Sequence, residues 1–326
     1  MQAGAQASVR SGGLNPSIRA RVIAVRNETA DTRILEFQAI DGSILPPCTP
    51  GAHIDVELPG GLVRQYSLLQ AGEQLSSYAI AVKREQNGRG GSRQLHDQVR
   101  VGEELTISAP RNHFPLNEAA SHSVLIAGGI GITPILCMAE RLAERGVSFE
   151  LHYACRDAGQ AAFLENVRGY ARATFYSDAE RGGPPPLEEI VSSAPAGAEL
   201  YCCGPGPMLD AFEREVAKRG DIKGHVERFT AAHEAAKEGG FVVRLARSNR
   251  ELRIKKGQSI LQALLEAGFD LPHSCEEGVC GSCETRVVSG TPDHRDSLLS
   301  ERERAANKVM MICCSGALSH ELVLDL

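Results

Sequence analysis

The sequence predicts a multidomain protein in which an antiparallel β-barrel, an α/β nucleotide-binding domain and a small α+β domain follow one another. Three observations lead to this fold class. The chain has 326 residues, about twice the length of a typical domain. Near residue 119 the pattern changes from short strands to strands that alternate with helices. Finally, five of the ten cysteines lie in the last 52 residues, so the C-terminal region has its own chemistry.

The first domain is predicted over residues 17–118, after a flexible N-terminus at residues 1–16. Its short apolar or alternating segments are separated by clusters of Pro and Gly, a pattern typical of an antiparallel barrel. The predicted strands are RVIAVRNE, RILEFQAI, HIDVELP, SYAIAVKR and EELTISAP.

The second domain is predicted over residues 119–229. Apolar strands alternate there with helical patterns, which indicates a parallel, doubly wound sheet. The strands are SVLIAG, FELHYAC and AELYCCG, and the helices are ILCMAERLAERG, FLENVRGYA and PMLDAFEREVAKRG.

A linker is predicted at residues 230–240, TAAHEAAKEGG, because this stretch is small, polar and ends in Gly. The third domain then occupies residues 241–326. It has strands of its own and one predicted amphipathic helix, SILQALLEAG.

Composition excludes several classes of function. The net charge is -6, aromatic residues make up 5% and Trp is absent, so nucleic-acid binding is not expected. The uncharged run Val124–Ala139 is interrupted by Gly and Pro and is shorter than the ~18 residues of a transmembrane helix. The start of the chain lacks the apolar core of a signal peptide. We therefore expect a cytoplasmic protein whose cysteines take part in metal or redox chemistry.

The cysteine spacing is the most specific motif. Cys275, Cys280 and Cys283 form C-x4-C-x2-C, and Cys313 follows 30 positions later. This is the spacing of plant-type [2Fe–2S] ligands. A zinc site or unmodified thiols are the alternatives, but zinc ligands usually come as two short pairs.

Neighbouring residues support the cluster assignment. Gly278 and Gly281 let the loop fold tightly around inorganic sulfide without a clash from Cβ. Cys314 leaves the fourth ligand open in principle, and we prefer Cys313 for its distance from the C-terminal strand.

A second motif, R-x-Y-S-L, lies in the predicted barrel. The Tyr66 ring can stack on an isoalloxazine, the Ser67 hydroxyl can bond flavin N5 and Arg64 can pair with a phosphate. Downstream, a Gly-Gly-Ser turn precedes a predicted helix whose amides would face an anion. The alternative is a surface Arg, a core Tyr and a flexible hairpin tip.

A third motif, G-G-x-G-x-T-P, follows the strand SVLIA and precedes a helix. Its glycines permit close approach to a pyrophosphate, and Thr133 is expected to cap the helix with Pro134 in the first turn. A second strand ends in Cys203-Gly204-Pro205, and ligands bind at such strand ends. The alternative for Cys203 is a buried structural thiol.

Taken in order, these motifs resemble those of the phthalate dioxygenase reductase family, which includes the vanillate O-demethylase reductases, from about Ser17 to Leu326. The resemblance implies a ferredoxin-reductase-like pair of domains followed by a β-grasp ferredoxin domain, with FMN, NADH and a [2Fe–2S] cluster. It implies FMN contacts at Arg64, Tyr66, Ser67, Leu68, Val82, Lys83, Gly90, Gly91, Ser92 and Phe229. It implies NAD contacts at Gly129, Gly131, Thr133, Arg156, Asp178, Cys203, Gly204 and Pro205, and cluster ligands at the four cysteines.

Within that set, the resemblance places Ser67, Thr133 and Cys203 at the reacting centre. Asp178 would accept the adenosine ribose hydroxyls and favour NADH, although Arg156 could equally hold the 2′-phosphate of NADPH.

The expected function is that of an NADH-dependent reductase component of a two-component aromatic-ring dioxygenase or O-demethylase. Hydride passes from NADH to FMN, and single electrons then pass through the cluster to a Rieske-type oxygenase. A passive electron carrier would not need the nicotinamide motifs. A stand-alone reductase of small acceptors, such as ferric complexes or quinones, stays open as an alternative function.

Four acidic residues flank the cysteine loop: Asp270, Glu276, Glu277 and Glu284. They could form a docking face for a basic partner, or they could be ordinary solvated surface.

Overall fold

The structure, a computed structural model, describes residues 17–86 and 88–326. The predicted flexible N-terminus at residues 1–16 lies outside the described residues. Contacts divide the chain between Phe229 and Thr230 into two compact units. The three-domain boundaries predicted at residues 118, 229 and 240 stay predictions.

The first unit begins with an antiparallel sheet of six strands in the order β4-β3-β6-β1-β2-β5. A bridge between Leu68, next to β4, and Ile80 of β5 joins the two edges, so the sheet closes as predicted for a barrel. Strand β4 carries the R-x-Y-S-L motif and was missing from the sequence prediction. The strands are β1 Ser17–Asn27, β2 Thr32–Ala39, β3 His53–Leu58, β4 Leu62–Ser67, β5 Tyr78–Lys83 and β6 Glu104–Ser108, with helix α1 Gly91–Asp97 before β6.

A five-stranded parallel sheet follows, in the order β11-β10-β7-β8-β9. Alternate residues of β7 face opposite cores: Val124 and Ile126 pack on one side, and Leu125 and Ala127 on the other. The sheet is therefore doubly wound, as predicted. Its strands are β7 Ser123–Gly128, β8 Phe149–Cys155, β9 Ala173–Ser177, β10 Glu199–Cys203 and β11 Lys223–Glu227. Its helices are α2 Ile132–Glu144, α3 Leu164–Arg168, α4 Asp178–Arg181, α5 Leu187–Ser193 and α6 Gly206–Ala217.

The apolar run Val124–Ala139 is divided between β7, a 3-10 turn at Gly129–Gly131 and α2. In the part of the chain that the structure describes, no helix has both the length and the apolarity needed to cross a membrane.

The second unit contains a mixed sheet in the order β13-β12-β18-β14-β16. Helix α7 packs its buried face on this sheet, as expected for an α+β domain. A second helix, α8, was not predicted, although the Ser300 and Glu303 capping box at its start is a readable signal. The strands are β12 Val242–Leu245, β13 Arg250–Arg253, β14 Glu284–Ser289, β15 Pro292–Asp293, β16 Val309–Met311, β17 Gly316–Ala317 and β18 Glu321–Leu324, and the helices are α7 Ile260–Glu266 and α8 Glu301–Ala306.

The stretch predicted as a linker is hydrogen-bonded to the rest of the second unit. The Ala236 amide donates to the Cys314 carbonyl at 2.8 Å, and the Gly257 amide donates to the Lys237 carbonyl at 2.8 Å. The Ala232 amide donates to the Ser297 hydroxyl at 2.9 Å. Much of residues 230–240 therefore lies along the third region of the chain.

Candidate functional site

The first part of the site joins β4 to the start of α1. A Cβ on Gly91 would lie 2.6 Å from Cγ of Arg64, so only glycine lets this side chain cross the start of the helix. Arg64 donates to the carbonyls of Val63 and Arg89, which holds its guanidinium beside the Gly90–Gly91 turn. A cation and the first amides of a helix are thus brought together, as a phosphate requires.

Ser67 ends β4 with its hydroxyl buried and without a hydrogen-bond partner. A buried hydroxyl rarely stays unpaired, because desolvation without compensation costs about 1–3 kcal/mol. The Ser67 hydroxyl therefore fits a site that is completed by a bound polar group such as flavin N5.

His53, which the sequence analysis missed, is the cross-strand partner of Ser67. Its Nε2 is also buried and unpartnered. Burial and the nearby Arg111 and His113 lower the pKa of His53 to about 3, so the imidazole is neutral. Directly opposed residues share a face of the sheet, so two unpaired polar groups meet at this end of the barrel.

The other predicted flavin residues have different surroundings. Tyr66 is half-buried, and burial raises the pKa of its hydroxyl. Leu68 and Val82 have side chains in the barrel core, which leaves only their backbones for a ligand. Lys83 lies 3.8 Å from Asp31, and the Ser92 hydroxyl accepts from the Glu85 amide at 3.0 Å.

The second part of the site lies at the carboxyl ends of the adjacent strands β7 and β10. Helix α2, which follows β7, and helix α6, which follows β10, pack on opposite faces of the sheet. This is the topological switch point, where open α/β sheets bind ligands. A Cβ on Gly131 would lie 2.3 Å from the Cys203 carbonyl oxygen, and one on Gly128 would lie 2.7 Å from Pro205 and Met208. The two glycine turns therefore pack directly on each other at the carboxyl ends of β7 and β10.

Thr133 does not cap the helix, which corrects the sequence expectation. Helix α2 begins at Ile132, so Thr133 lies inside the first turn and its hydroxyl donates to the Ile130 carbonyl at 3.0 Å. Pro134 does occupy the first turn, as predicted.

Cys203 is fully buried at the end of β10 and pairs in register with Glu227 of β11. The Cys203 thiol lies 3.8 Å from the Glu227 carboxyl. Burial raises the pKa of Glu227 to about 8, while the contact with Cys203 lowers it by less. Burial and the neighbouring Glu227 raise the pKa of Cys203. Glu227 is a functional candidate that the sequence motifs did not single out, because it lies outside them on β11.

Asp178 follows β9 at the same edge of the sheet. Its Oδ1 is buried and lacks a hydrogen-bond partner. Arg156 follows the adjacent strand β8 and is exposed, and its carbonyl accepts from the Ala179 amide at 3.0 Å. The structure thus places both predicted specificity residues at the carboxyl ends of neighbouring strands. Phe229, the predicted flavin neighbour, has a side chain that is 40% exposed.

The third part of the site is the cysteine cluster of the second unit. Cys275 and Cys280 lie in the loop before β14, Cys283 precedes β14 and Cys313 follows β16, and all four are buried. The Cys313 thiol interacts with those of Cys275 and Cys283, and the Cys280 thiol with that of Cys275. Among the described residues no three His, Cys, Asp or Glu side chains are arranged to hold a single metal ion.

The backbone of the cysteine loop points donors at sulfur. The Glu277 amide lies 3.3 Å from Cys275 Sγ, and the Cys275 amide lies 3.5 Å from Cys280 Sγ. Glu276, Gly278 and Gly281 all have positive φ values, of 56°, 74° and 72°, a backbone conformation that favours glycine at two of the three positions. Four thiols with amides aimed at them fit an iron–sulfur cluster.

Acidic side chains occur around this loop as the sequence suggested. Asp270, Glu276 and Glu284 are exposed, and Glu277 is half-buried. Their part in docking stays a prediction.

The fold and site define a modular electron-transfer oxidoreductase that joins a barrel and a nucleotide-binding sheet to an iron–sulfur domain. The model of the 2Fe-2S iron-sulfur cluster binding domain matches residues 243–318. Phenoxybenzoate dioxygenase subunit beta of Ectopseudomonas oleovorans is 47% identical over 94% of this chain and 96% of its own length. Vanillate O-demethylase oxidoreductase of a Pseudomonas strain is 44% identical over 94% of this chain and 98% of its own. The chain therefore belongs to the phthalate dioxygenase reductase family, whose named members include reductase components of oxygenase systems.

Three further likenesses bear on the fold and activity. Phthalate dioxygenase reductase itself, described as transferring electrons from pyridine nucleotides to [2Fe–2S], is 35% identical with a TM-score of 0.71 over 96% of this chain and 98% of its own. An intact self-sufficient cytochrome P450 monooxygenase matches 98% of this chain with a TM-score of 0.87 and 36% identity, and the chain spans 43% of that longer protein. Tetrachlorobenzoquinone reductase of Sphingobium chlorophenolicum is 44% identical over 94% of this chain and 97% of its own.

Proposed function

We propose that this chain is the NADH-dependent, FMN-containing reductase component of a two-component oxygenase, and that it passes single electrons through a [2Fe–2S] cluster to a Rieske-type partner. The observation that carries the proposal is the buried, unpartnered hydroxyl of Ser67 on a chain that also gathers four cysteines in plant-type spacing. The first feature fits a flavin and the second fits the one-electron centre that follows it.

The barrel residues hold the flavin in this proposal. FMN, when bound, accepts two electrons as a hydride and releases them one at a time. Ser67 donates its hydroxyl to N5, and neutral His53 on the opposite strand supplies the next polar contact. Arg64 binds the phosphate beside Gly91, where the absence of a Cβ lets the guanidinium approach.

In this proposal NADH binds at the switch point of the sheet, in a crevice beside the two glycine turns. The turn at Gly129–Gly131 presents backbone to the pyrophosphate, and Cys203 lies at the nicotinamide end. Glu227 keeps its proton at neutral pH, because burial raises its pKa to about 8, and an uncharged carboxyl can donate a hydrogen bond to the nicotinamide amide.

Asp178 gives the preference for NADH. Its free, buried Oδ1 is an acceptor for a ribose hydroxyl and would repel a 2′-phosphate. The exposed Arg156 is the residue that would favour NADPH instead. The question to test is therefore which of these two side chains decides between NADH and NADPH.

The partner is an oxygenase that binds the aromatic compound, which places substrate choice outside this chain. The family relatives named above as dioxygenase and O-demethylase components support this assignment. All ten cysteines are buried and free of disulfides, which accords with a reaction in the cytoplasm.

An anaerobic titration of the purified holoprotein with NADH tests the proposal. Visible absorption should show uptake of about three electrons, two by flavin and one by a red-brown cluster. The released flavin should be FMN. Bleaching of flavin in iron-replete protein without a cluster spectrum would overturn the reductase-component assignment.

A quinone reductase is the second candidate, because tetrachlorobenzoquinone reductase is a near full-length relative. Direct reduction of quinones needs the flavin but not the cluster. NADH oxidation that is as fast with a benzoquinone alone as with an oxygenase and its substrate would favour this candidate.

A further inference from the structure

Cys314 is the fifth buried cysteine near the predicted cluster, and the proposed function does not use it. It follows Cys313 in a tight turn after β16, in which the amides of Cys314 and Ser315 both donate to the Met311 carbonyl, at 3.3 and 3.0 Å. This turn points both cysteine side chains inward, so that Cys313 is 5% and Cys314 2% exposed.

The Cys314 sulfur lies beside the cysteine loop. Its thiol interacts with the thiol of the preceding residue, Cys313. A Cβ on Gly278, in the loop between Cys275 and Cys280, would lie only 2.5 Å from Cys314 Sγ. The sulfur of Cys314 therefore packs against the backbone of the loop that carries two of the predicted ligands.

Packing alone does not require a thiol at this position. The other polar contacts of Cys314 are long, at 3.7 Å to the Met311 carbonyl and 3.9 Å to the Ser315 hydroxyl. An alanine or a valine would fill similar space among apolar neighbours. What distinguishes cysteine here is its capacity to bind iron as a thiolate.

We propose that Cys314 is an alternative ligand for the iron that Cys313 binds. In the exchange, the bond from iron to Cys313 Sγ breaks and that sulfur takes up a proton. The Cys314 thiol loses a proton and its sulfur forms the new bond, so charge and electrons are conserved. The inference rests on the cluster part of the proposed function and not on the flavin or NADH parts.

Ligand deletion in the full-length holoprotein tests this inference. Cys313→Ala, Cys314→Ala and the double variant are reconstituted anaerobically with iron and sulfide, and iron, acid-labile sulfide and the spectrum after dithionite reduction are measured. We expect about two irons per chain in both single variants, a shifted electron paramagnetic resonance signal in Cys313→Ala, and loss of the cluster in the double variant.

A matched control removes one more cysteine away from the cluster. Cys313→Ala combined with Cys48→Ala should keep its iron, because Cys48 lies in the barrel. Loss of the cluster from Cys313→Ala, with native circular dichroism, would overturn the inference. Equal retention in Cys313→Ala and the double variant would also overturn it, because some other group would then be the ligand.

Cys313→Ser keeps the experiment decisive if the alanine variant fails to fold. An all-sulfur coordination shell by X-ray absorption would support Cys314, and an oxygen ligand would contradict it. Dithionite needs neither NADH nor FMN, so failure of the proposed function leaves this result readable.

Discussion

At the scale of single residues, the Ser67 hydroxyl is the group whose role is most sharply testable. Ser67→Ala removes the proposed donor to flavin N5 but little volume. We expect NADH-driven flavin reduction to slow by about 10²-fold while FMN binding persists, as measured by stopped-flow absorption. Ser67→Thr keeps a hydroxyl and serves as the control. Equal rates in the wild type and Ser67→Ala would refute this role.

Glu227 gives a prediction about pH. Burial raises its pKa from 4.5 to about 8. Between these two pH values the carboxyl keeps its proton in the folded chain but has lost it in the unfolded chain. The stabilising contribution of this group therefore falls as pH rises from about 4.5 to about 8. Flavin reduction by NADH should decline with an apparent pKa near 8 if the protonated form holds the nicotinamide.

Glu227→Gln is the measurement that isolates this effect. The glutamine amide keeps a hydrogen-bond donor at every pH. The stopped-flow rate of flavin reduction in this variant should therefore stay constant from about pH 6 to about pH 9, a range that covers the titration of the Glu227 carboxyl. A decline that survives in Glu227→Gln would assign the pH dependence to another group.

At the scale of elements, the proposed NADH crevice depends on two glycine turns that approach more closely than side chains would allow. The start of α2 and the end of β10 meet at Gly131, where a Cβ would lie 2.3 Å from the Cys203 carbonyl oxygen. A backbone atom cannot swing aside as a side chain can, so the turn itself must move.

Gly131→Ala should therefore weaken NADH binding and destabilise the first unit by about 1–3 kcal/mol, the usual cost of overpacking. Thermal unfolding and NADH titration measure the two effects. Gly220→Ala is the matched control, because a Cβ there meets nothing within 4 Å. Wild-type NADH affinity in Gly131→Ala would show that the crevice is not the binding site.

At the scale of the whole molecule, the division of contacts after Phe229 separates the residues proposed for hydride transfer from those proposed for one-electron transfer. The predicted flavin and NADH residues lie in one unit and the cysteine cluster in the other. Loss of the cluster should then leave the reduction of the flavin by NADH intact.

Cys280→Ser tests this separation. We expect transfer from NADH to a one-electron protein acceptor to be abolished, with NADH-driven flavin reduction unchanged, because only the cluster is lost. Circular dichroism checks that the variant is folded. Loss of both activities in a folded variant would show that the two roles are not separate.

Sequence patterns determined the three kinds of fold and supplied most of the candidate site residues, because each depends on local chemistry. Strand alternation, glycine turns and the C-x4-C-x2-C spacing are readable within a few residues. Two of the missed strands carry weaker local signals: β4 contains polar Arg64 and Gln65, and β11 begins with Lys223 and Gly224.

Tertiary structure alone decided which polar groups meet across strands. Nothing local in the sequence pairs His53 with Ser67 or Glu227 with Cys203, because these partners come together only through the register of β3 with β4 and of β10 with β11. Burial then leaves Ser67 unpaired and raises the pKa of Glu227, since desolvation depends on what surrounds a group in space. Cys314 shows the same limit: its position after Cys313 is plain in the sequence, but its contact with the loop at Gly278 exists only in the folded chain.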